Sequence, residues 1–129
     1  MEKIKSESEK RLIVKGNIND KSAYFLIDTG ASLGLIDDNQ IKKYDLVVGK
    51  PFNGSVIGAG GEIANPKRCN SFLTIGDKQI SQFLLVDLEN IVDSIKRETG
   101  IKILGIIGLP QMKMVGIQID TNDNLIIIE

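Results

Sequence analysis

Short apolar runs separated by turn-forming residues dominate the chain and predict a mostly β structure. The runs are rich in Ile, Val and Leu, and Gly, Asn and Asp stand between them. The predicted strands cover residues 11–15, 22–27, 71–75, 79–86, 101–107, 115–119 and 125–129. Turn residues at 16–20 and 120–124 join the first two and the last two of these strands into hairpins.

Residues 88–99 have the clearest helical spacing in the chain. Apolar residues recur there at intervals of three and four, which places them on one face of a helix. These residues are Leu88, Ile91, Val92 and Ile95. Asp87 is placed to cap the helix and Gly100 to end it. Shorter helical segments are predicted at 37–44 and 109–114.

The length of 129 residues fits one domain, which we expect to span residues 11–129. Residues 1–10 are mostly charged and are expected to form a flexible tail.

The net charge of −1 argues against nucleic-acid binding, which normally needs a basic patch. No apolar run approaches the ~18 residues of a membrane span. Residues 1–11 also lack the apolar centre of an export signal. The compartment stays open: the sequence as given indicates the cytoplasm, and the periplasm or export is expected instead if a signal has been removed.

The absence of histidine narrows the possible chemistry. It excludes His-activated Ser or Cys nucleophiles and His as a general acid or base. The single cysteine, Cys69, excludes an internal disulfide and a Cys-rich zinc site, and without a histidine to activate it we expect a structural role. Any catalysis must therefore use carboxylates, hydroxyls, amines or the backbone.

Asp28 is the strongest candidate for a catalytic residue, because it directly follows the apolar strand predicted at 22–27. Burying a carboxylate at a strand end is costly unless donors surround it. The residues that follow, Thr29, Gly30 and Ala31, can supply N–H groups and a hydroxyl. From these residues alone, Asp28 is either such a carboxylate or the first residue of an ordinary turn.

Two further features follow Asp28 along the chain. One is a glycine-rich hairpin tip at 58–61, and the other is the sequence Ile-Ile-Gly at 106–108. Taken singly, the first is an ordinary turn and the second an ordinary core strand. In this order after Asp-Thr-Gly, they resemble the retropepsin-like (retroviral-type, single-domain) aspartic proteases over residues 11–129. The resemblance implies an all-β fold, a closed barrel with a flap hairpin. The one clear helix predicted at 88–99 departs from the minimal retroviral pattern and is expected to be an insertion before the Ile-Ile-Gly strand, and the other helical segments are short turns.

The resemblance also implies a role for each matching residue. Asp28 is the implied catalytic carboxylate, Gly30 offers its N–H to that carboxylate, and Thr29 bonds across a dimer axis; Ala31 completes the loop. The implied flap and substrate-binding residues are Ile57, Gly58, Ala59, Gly60 and Gly61. The implied supports behind the loop are Ile106, Ile107 and Gly108. No cofactor or metal is implied, and the implied partners are a peptide or protein substrate and a second copy of the chain.

Carboxylate chemistry explains why a second copy is expected. One ionised carboxylate must take a proton from water while a protonated one polarises the carbonyl. Two carboxylates about 3 Å apart share a proton, because both cannot ionise together. The chain has one Asp-Thr-Gly; the sequence at 120–122 has Asn in place of Gly and predicts a hairpin turn. The expected site therefore takes Asp28 from each of two copies.

Three alternatives remain open from the sequence. The domain is an aspartic endopeptidase, a catalytically silent retropepsin-like module that binds peptide or mediates assembly, or a β-barrel binding domain in which Asp-Thr-Gly is a coincidence. The apolar C-terminal segment 125–128 either holds the dimer together or is an interior strand of one subunit. Asp37 and Asp38 suggest a metal pair at first sight, but charge at the start of a helix is the preferred interpretation.

Overall fold

Alternation of buried and exposed side chains builds most of the fold, and β2 shows it most clearly. The computed structural model describes residues 1–53, 55–58, 61–64 and 66–129. Its strands are β1 Glu2–Lys5, β2 Ile13–Ile18, β3 Lys21–Asp28, β4 Gly34–Asp37, β5 Val48–Pro51, β6 Ser55–Gly58, β7 Gly61–Ala64, β8 Lys67–Cys69, β9 Leu73–Ile75, β10 Lys78–Ile80, β11 Phe83–Val86, β12 Gly105–Gly108, β13 Ile117–Asp120 and β14 Leu125–Ile128. Its helices are α1 Ile41–Tyr44, preceded by a 3₁₀ turn at Asp38–Gln40, α2 Glu89–Thr99 and α3 Leu109–Val115. The predicted mostly β fold with one main helix is confirmed.

The largest sheet places β3 and β12 side by side near its centre. Its strand order is β10-β9-β2-β3-β12-β4-β11-β8-β5. The β3–β12 and β4–β11 pairs are parallel, and β12 pairs antiparallel with β4. All four residues of β12 are buried, as expected for a strand with covered faces. Closure of the sheet into a barrel stays a prediction.

Helix α2 covers one side of this sheet through the face that its spacing predicts. Val92 and Ile95 are buried in a cluster with Leu84 and Ile103. A carboxylate oxygen of Asp87 accepts the N–H of Glu89 at 3.0 Å, and Gly100 ends the helix with φ of 79°. The predicted helix and its end at Gly100 are confirmed. The helix begins at Glu89 rather than at residue 88; the N-cap position is Leu88, which provides no side-chain cap, and Asp87 bonds to the Glu89 N–H from one residue earlier.

Several strand boundaries differ from the sequence prediction. The predicted strand at 79–86 is two strands, β10 and β11, because Gln82 turns the chain with φ of 65°. The strand predicted at 101–107 begins only at Gly105. Strands β4, β5 and β8 were not predicted, since each has only three or four residues and too few positions to establish an alternating pattern.

The expectation of a flexible tail over residues 1–10 differs from the structure at residues 2–5. There β1 pairs antiparallel with β14, from Glu2↔Ile128 to Lys5↔Leu125. Ile4 alone among these charged residues is apolar, and it packs against the main core cluster. Backbone pairing to β14 and this one apolar contact order a segment whose composition indicates a tail. Since β13 pairs with the other edge of β14, the C-terminal segment is an interior strand of one subunit.

The predicted glycine-tipped hairpin is formed by β6 and β7. The two strands pair antiparallel from Ser55↔Ala64 to Gly58↔Gly61. Of the predicted flap residues, Ala59 and Gly60 lie outside the described residues. Within the described part of the chain, no helix has the length and apolar character needed to cross a membrane.

Candidate active site

Asp28 is the last residue of β3 and lies half-buried at the end of a central strand. The parallel neighbour β12 pairs Gly108 with Asp28 and Ile107 with Ile27. Ile106 and Ile107 of β12 are both buried. The structure thus brings the two predicted motifs, Asp-Thr-Gly and Ile-Ile-Gly, into direct contact, although they are about eighty residues apart in sequence.

The loop after Asp28 folds back on its carboxylate. The N–H of Gly30 donates to Oδ1 of Asp28 at 2.9 Å, and the N–H of Ala31 donates to the Asp28 carbonyl at 3.1 Å. A Cβ at Gly30 would lie 3.3 Å from that same Oδ1, so glycine gives the carboxylate room. Thr29 and Gly30 are exposed. The contact of Thr29 with a second copy stays a prediction.

Gly108 allows the loop and β12 to approach more closely than a side chain would permit. A Cβ at this position would lie 2.8 Å from the carbonyl oxygen of Leu33 and 2.9 Å from that of Ala31. Real Cβ atoms essentially never come within 3.0 Å of such atoms. The N–H of Leu109 also donates to the Ala31 carbonyl at 2.9 Å. The catalytic-loop candidate is therefore held from behind by backbone contacts.

Gln111 is a support that the sequence reasoning missed. Its side chain is 4% exposed; Oε1 accepts the N–H of Gly108 at 3.0 Å, and Nε2 donates to the carbonyl of Ser81 at 2.7 Å. A Cβ at Gly34 would overlap this amide. Half of a sequence signal was present: Gln stands three residues after the N-cap position, as in a capping box, although Gly108 has no side chain to complete the box.

Arg11 is a second neighbour of Asp28 that the sequence reasoning missed. Strands β2 and β3 pair Ile13 with Leu26. The same register, extended by two residues, sets Arg11 opposite Asp28. Directly opposed residues on an antiparallel pair point to the same face of the sheet. This places Arg11 on the same side of the sheet as Asp28, while its guanidinium bonds to Glu98 and the described residues contain no Arg11–Asp28 ion pair.

Helix α2 holds the Arg11 side chain in place. Nε and Nη2 of Arg11 donate to the two carboxylate oxygens of Glu98 at 2.9 and 3.0 Å. This hydrogen-bonded pair raises the pKa of Arg11, with a smaller contribution from the charge of Asp28, and lowers the pKa of Glu98. Lys10 Nζ donates to the Glu98 carbonyl at 3.1 Å. The end of α2 and the residues before β2 thus form one connected unit beside Asp28.

The carboxylates of Asp37, Asp38 and Asp87 form an acidic cluster, with oxygens within 4.8 Å of one another. Asp37 is buried and caps the 3₁₀ turn by accepting the N–H of Asn39 at 3.2 Å. Burial and the two neighbouring charges raise the pKa of Asp38, while donors from Glu89 and Asn39 lower that of Asp87. These bonds agree with the helix-start interpretation and tie α2 to the turn.

The surroundings of two other candidate residues, Cys69 and Asp120, indicate structural roles. Cys69 is buried, and burial raises the pKa of its thiol, which disfavours the nucleophilic thiolate. Oδ1 of Asp120 accepts the N–H groups of Asn122 and Asp123 at 3.0 and 3.2 Å. Asp120 therefore belongs to the turn between β13 and β14, as the sequence predicts.

Comparison with known proteins agrees with this geometry. A family model described as aspartyl protease matches residues 14–110, about three quarters of the chain. The search of curated proteins found no match to this chain.

Two solved structures share the fold. The EIAV protease complexed with the inhibitor HBY-793 has a TM-score of 0.64 at 18% identity, over 91% of this chain and 99% of that one. The retroviral protease-like domain of Ddi1 from Leishmania major has a TM-score of 0.58 at 16% identity, over 92% of this chain and 86% of that one. Together with the family match, this likeness means that the chain belongs to the aspartyl protease family and has the retropepsin-like fold.

Proposed function

We propose that the protein is a homodimeric aspartic endopeptidase whose site combines Asp28 from each of two copies. The observation that carries the proposal is the position of Asp28: it ends a central strand, accepts the Gly30 N–H on Oδ1 and is backed by Gly108. Among the described residues, no hydrogen bond reaches its Oδ2. An oxygen free for water or for a second carboxylate is what the chemistry requires.

The reaction follows from one proton shared between two carboxylates. The ionised Asp28 takes a proton from a water molecule, whose oxygen attacks the peptide carbonyl carbon. The protonated Asp28 of the other copy donates its proton to the carbonyl oxygen. The tetrahedral intermediate then collapses as the amide nitrogen accepts a proton, and the C–N bond breaks to give an acid and an amine.

The arrangement of the chain supports the need for two copies. The other Asp-Thr sequence, at 120–121, lies in a hairpin turn and its carboxylate is bonded to that turn. Thr29 and Gly30 are exposed beside Asp28, where a symmetry-related loop would meet them. The flap strands β6 and β7 offer a hairpin beside which an extended peptide is able to bind through its backbone.

The test combines solution mass with peptide cleavage between pH 4 and 7. We expect a particle of twice the 14.1 kDa chain mass. We expect Asp28→Asn to lower cleavage at least about 100-fold, in line with the loss of an acid–base group. Asp120→Asn is the matched control and should retain activity. A folded monomer that is inert at every pH would overturn the proposal and favour the silent peptide-binding module.

A further inference from the structure

A cavity lies next to the loop that follows Asp28. It is a cavity of about 530 Å³, within the size range of ligand-binding clefts. The side chains that matter for its chemistry are Leu33, Phe52, Arg68, Phe72, Gln82 and Leu84. They come from the segments on both sides of β8 and β11, so the cavity lies at the edge of the large sheet and is open to solvent.

The cavity shares two supports with the Asp28 loop. Leu33 lines it, and the Leu33 carbonyl packs against Gly108, the register partner of Asp28. Ser81 also lines it, and the Ser81 carbonyl accepts the Gln111 amide that holds Gly108. A ligand in this cavity therefore lies against the same rigid framework that positions the carboxylate.

The cavity lining mixes apolar and aromatic side chains with the neutral polar residues Asn70, Ser71, Ser81 and Gln82, and it carries one cation. Among its described lining residues, Arg68 is the charged one. Arg68 is exposed, and its guanidinium carbon lies 5.2 Å from the ring centroid of Phe52, within the range of a cation–π contact. Within the described part of the chain, Arg68 forms no ion pair. Phe72 is 46% exposed on the same cavity wall. A guanidinium beside apolar surface matches a carboxylate carried on a short apolar stem.

We propose that this cavity is a specificity subsite that binds an Asp or Glu side chain of the peptide substrate, with its carboxylate paired to Arg68. The inference rests on the proposed endopeptidase function and adds the substrate class. A peptide extended past Asp28 at about 3.3 Å per residue places successive side chains along the cleft. The twofold axis of the proposed dimer repeats the cavity, so an acidic residue fits at either of two equivalent positions, one on each side of the scissile bond.

The experiment uses a degenerate decapeptide library with the dimeric protein, and mass spectrometry identifies the cleaved sequences. We expect Asp or Glu to be enriched about fivefold at one or both of the two equivalent positions that flank the scissile bond, which corresponds to a partly exposed charge pair. Arg68→Met keeps the length of the side chain and should abolish the enrichment while cleavage continues. Lys67→Met is the matched control, because Lys67 is exposed on the same strand but does not line the cavity.

The outcomes separate this inference from the proposed function. Cleavage without acidic enrichment, or with the same enrichment in Arg68→Met, overturns the subsite and leaves the protease intact. If the wild type cleaves nothing, the proposed function fails, and the subsite is judged by the library peptides retained on the immobilised protein. Retention of acidic peptides that Arg68→Met loses supports the subsite; retention without acidic enrichment, or no retention, overturns it.

Discussion

Gly108 and Gln111 show how single residues shape the candidate site. Gly108 lacks the side chain that would collide with two loop carbonyls, and its N–H is held by the buried amide of Gln111. The sequence motif predicts the glycine, because Ile-Ile-Gly is a local pattern. It does not predict the second bond of Gln111, to Ser81, because that partner lies thirty residues away.

Replacing Gln111 by Met tests this support. The substitution keeps the side-chain length but leaves the Gly108 N–H and the Ser81 carbonyl without their partner. An unsatisfied buried group costs about 1–3 kcal/mol, so we expect the free energy of unfolding to fall by at least that amount. Urea denaturation measures it, with the exposed Gln79→Met as control. Equal stability of Gln111→Met and the wild type would contradict the assigned role.

Elements differ in how well their local pattern predicts them. The periodicity of α2 is long enough to identify the helix and its buried face. Strand β1 is a charged segment that becomes ordered only because β14 offers a free edge, and the break between β10 and β11 depends on one left-handed residue, Gln82. The local pattern of hydrophobic residues predicts neither the pairing of β1 nor the break between β10 and β11, because both depend on tertiary structure.

The link between α2 and Asp28 predicts a pH-dependent stability. The Arg11 hydrogen bonds lower the pKa of Glu98 below its ordinary value of 4.5. A carboxylate with a lowered folded-state pKa stabilises the fold above its unfolded pKa and loses that contribution as the pH falls through the folded value. We expect Glu98→Gln to be less stable than the wild type at pH 7, and this difference to vanish in strong acid.

Urea denaturation at pH 7, 5 and 3 measures that difference. The control is the same substitution in an Arg11→Gln background, where the ion pair is already absent. There, Glu98→Gln should have the same effect at each pH. A pH-independent difference in the Arg11-containing protein would show that the pair does not contribute to folding stability.

The fold of the whole molecule is shared by proteins whose sequences differ from it at most positions. Structures at 18% and 16% identity share the fold. The local strings Asp-Thr-Gly and Ile-Ile-Gly are visible in the sequence because close backbone approaches require glycine at fixed places. Arg11, Gln111 and the Arg68 cavity are not visible in this way, since each depends on which distant strands become neighbours.

A mixing experiment tests the central claim that one site needs Asp28 from two chains. Wild type and Asp28→Asn are combined in equal amounts, dissociated, reassociated, and assayed for peptide cleavage at fixed total protein. If the site is shared, only wild-type pairs are active, and random pairing leaves about a quarter of the activity of undiluted wild type. If each chain acts alone, about half remains, and that result would contradict the account.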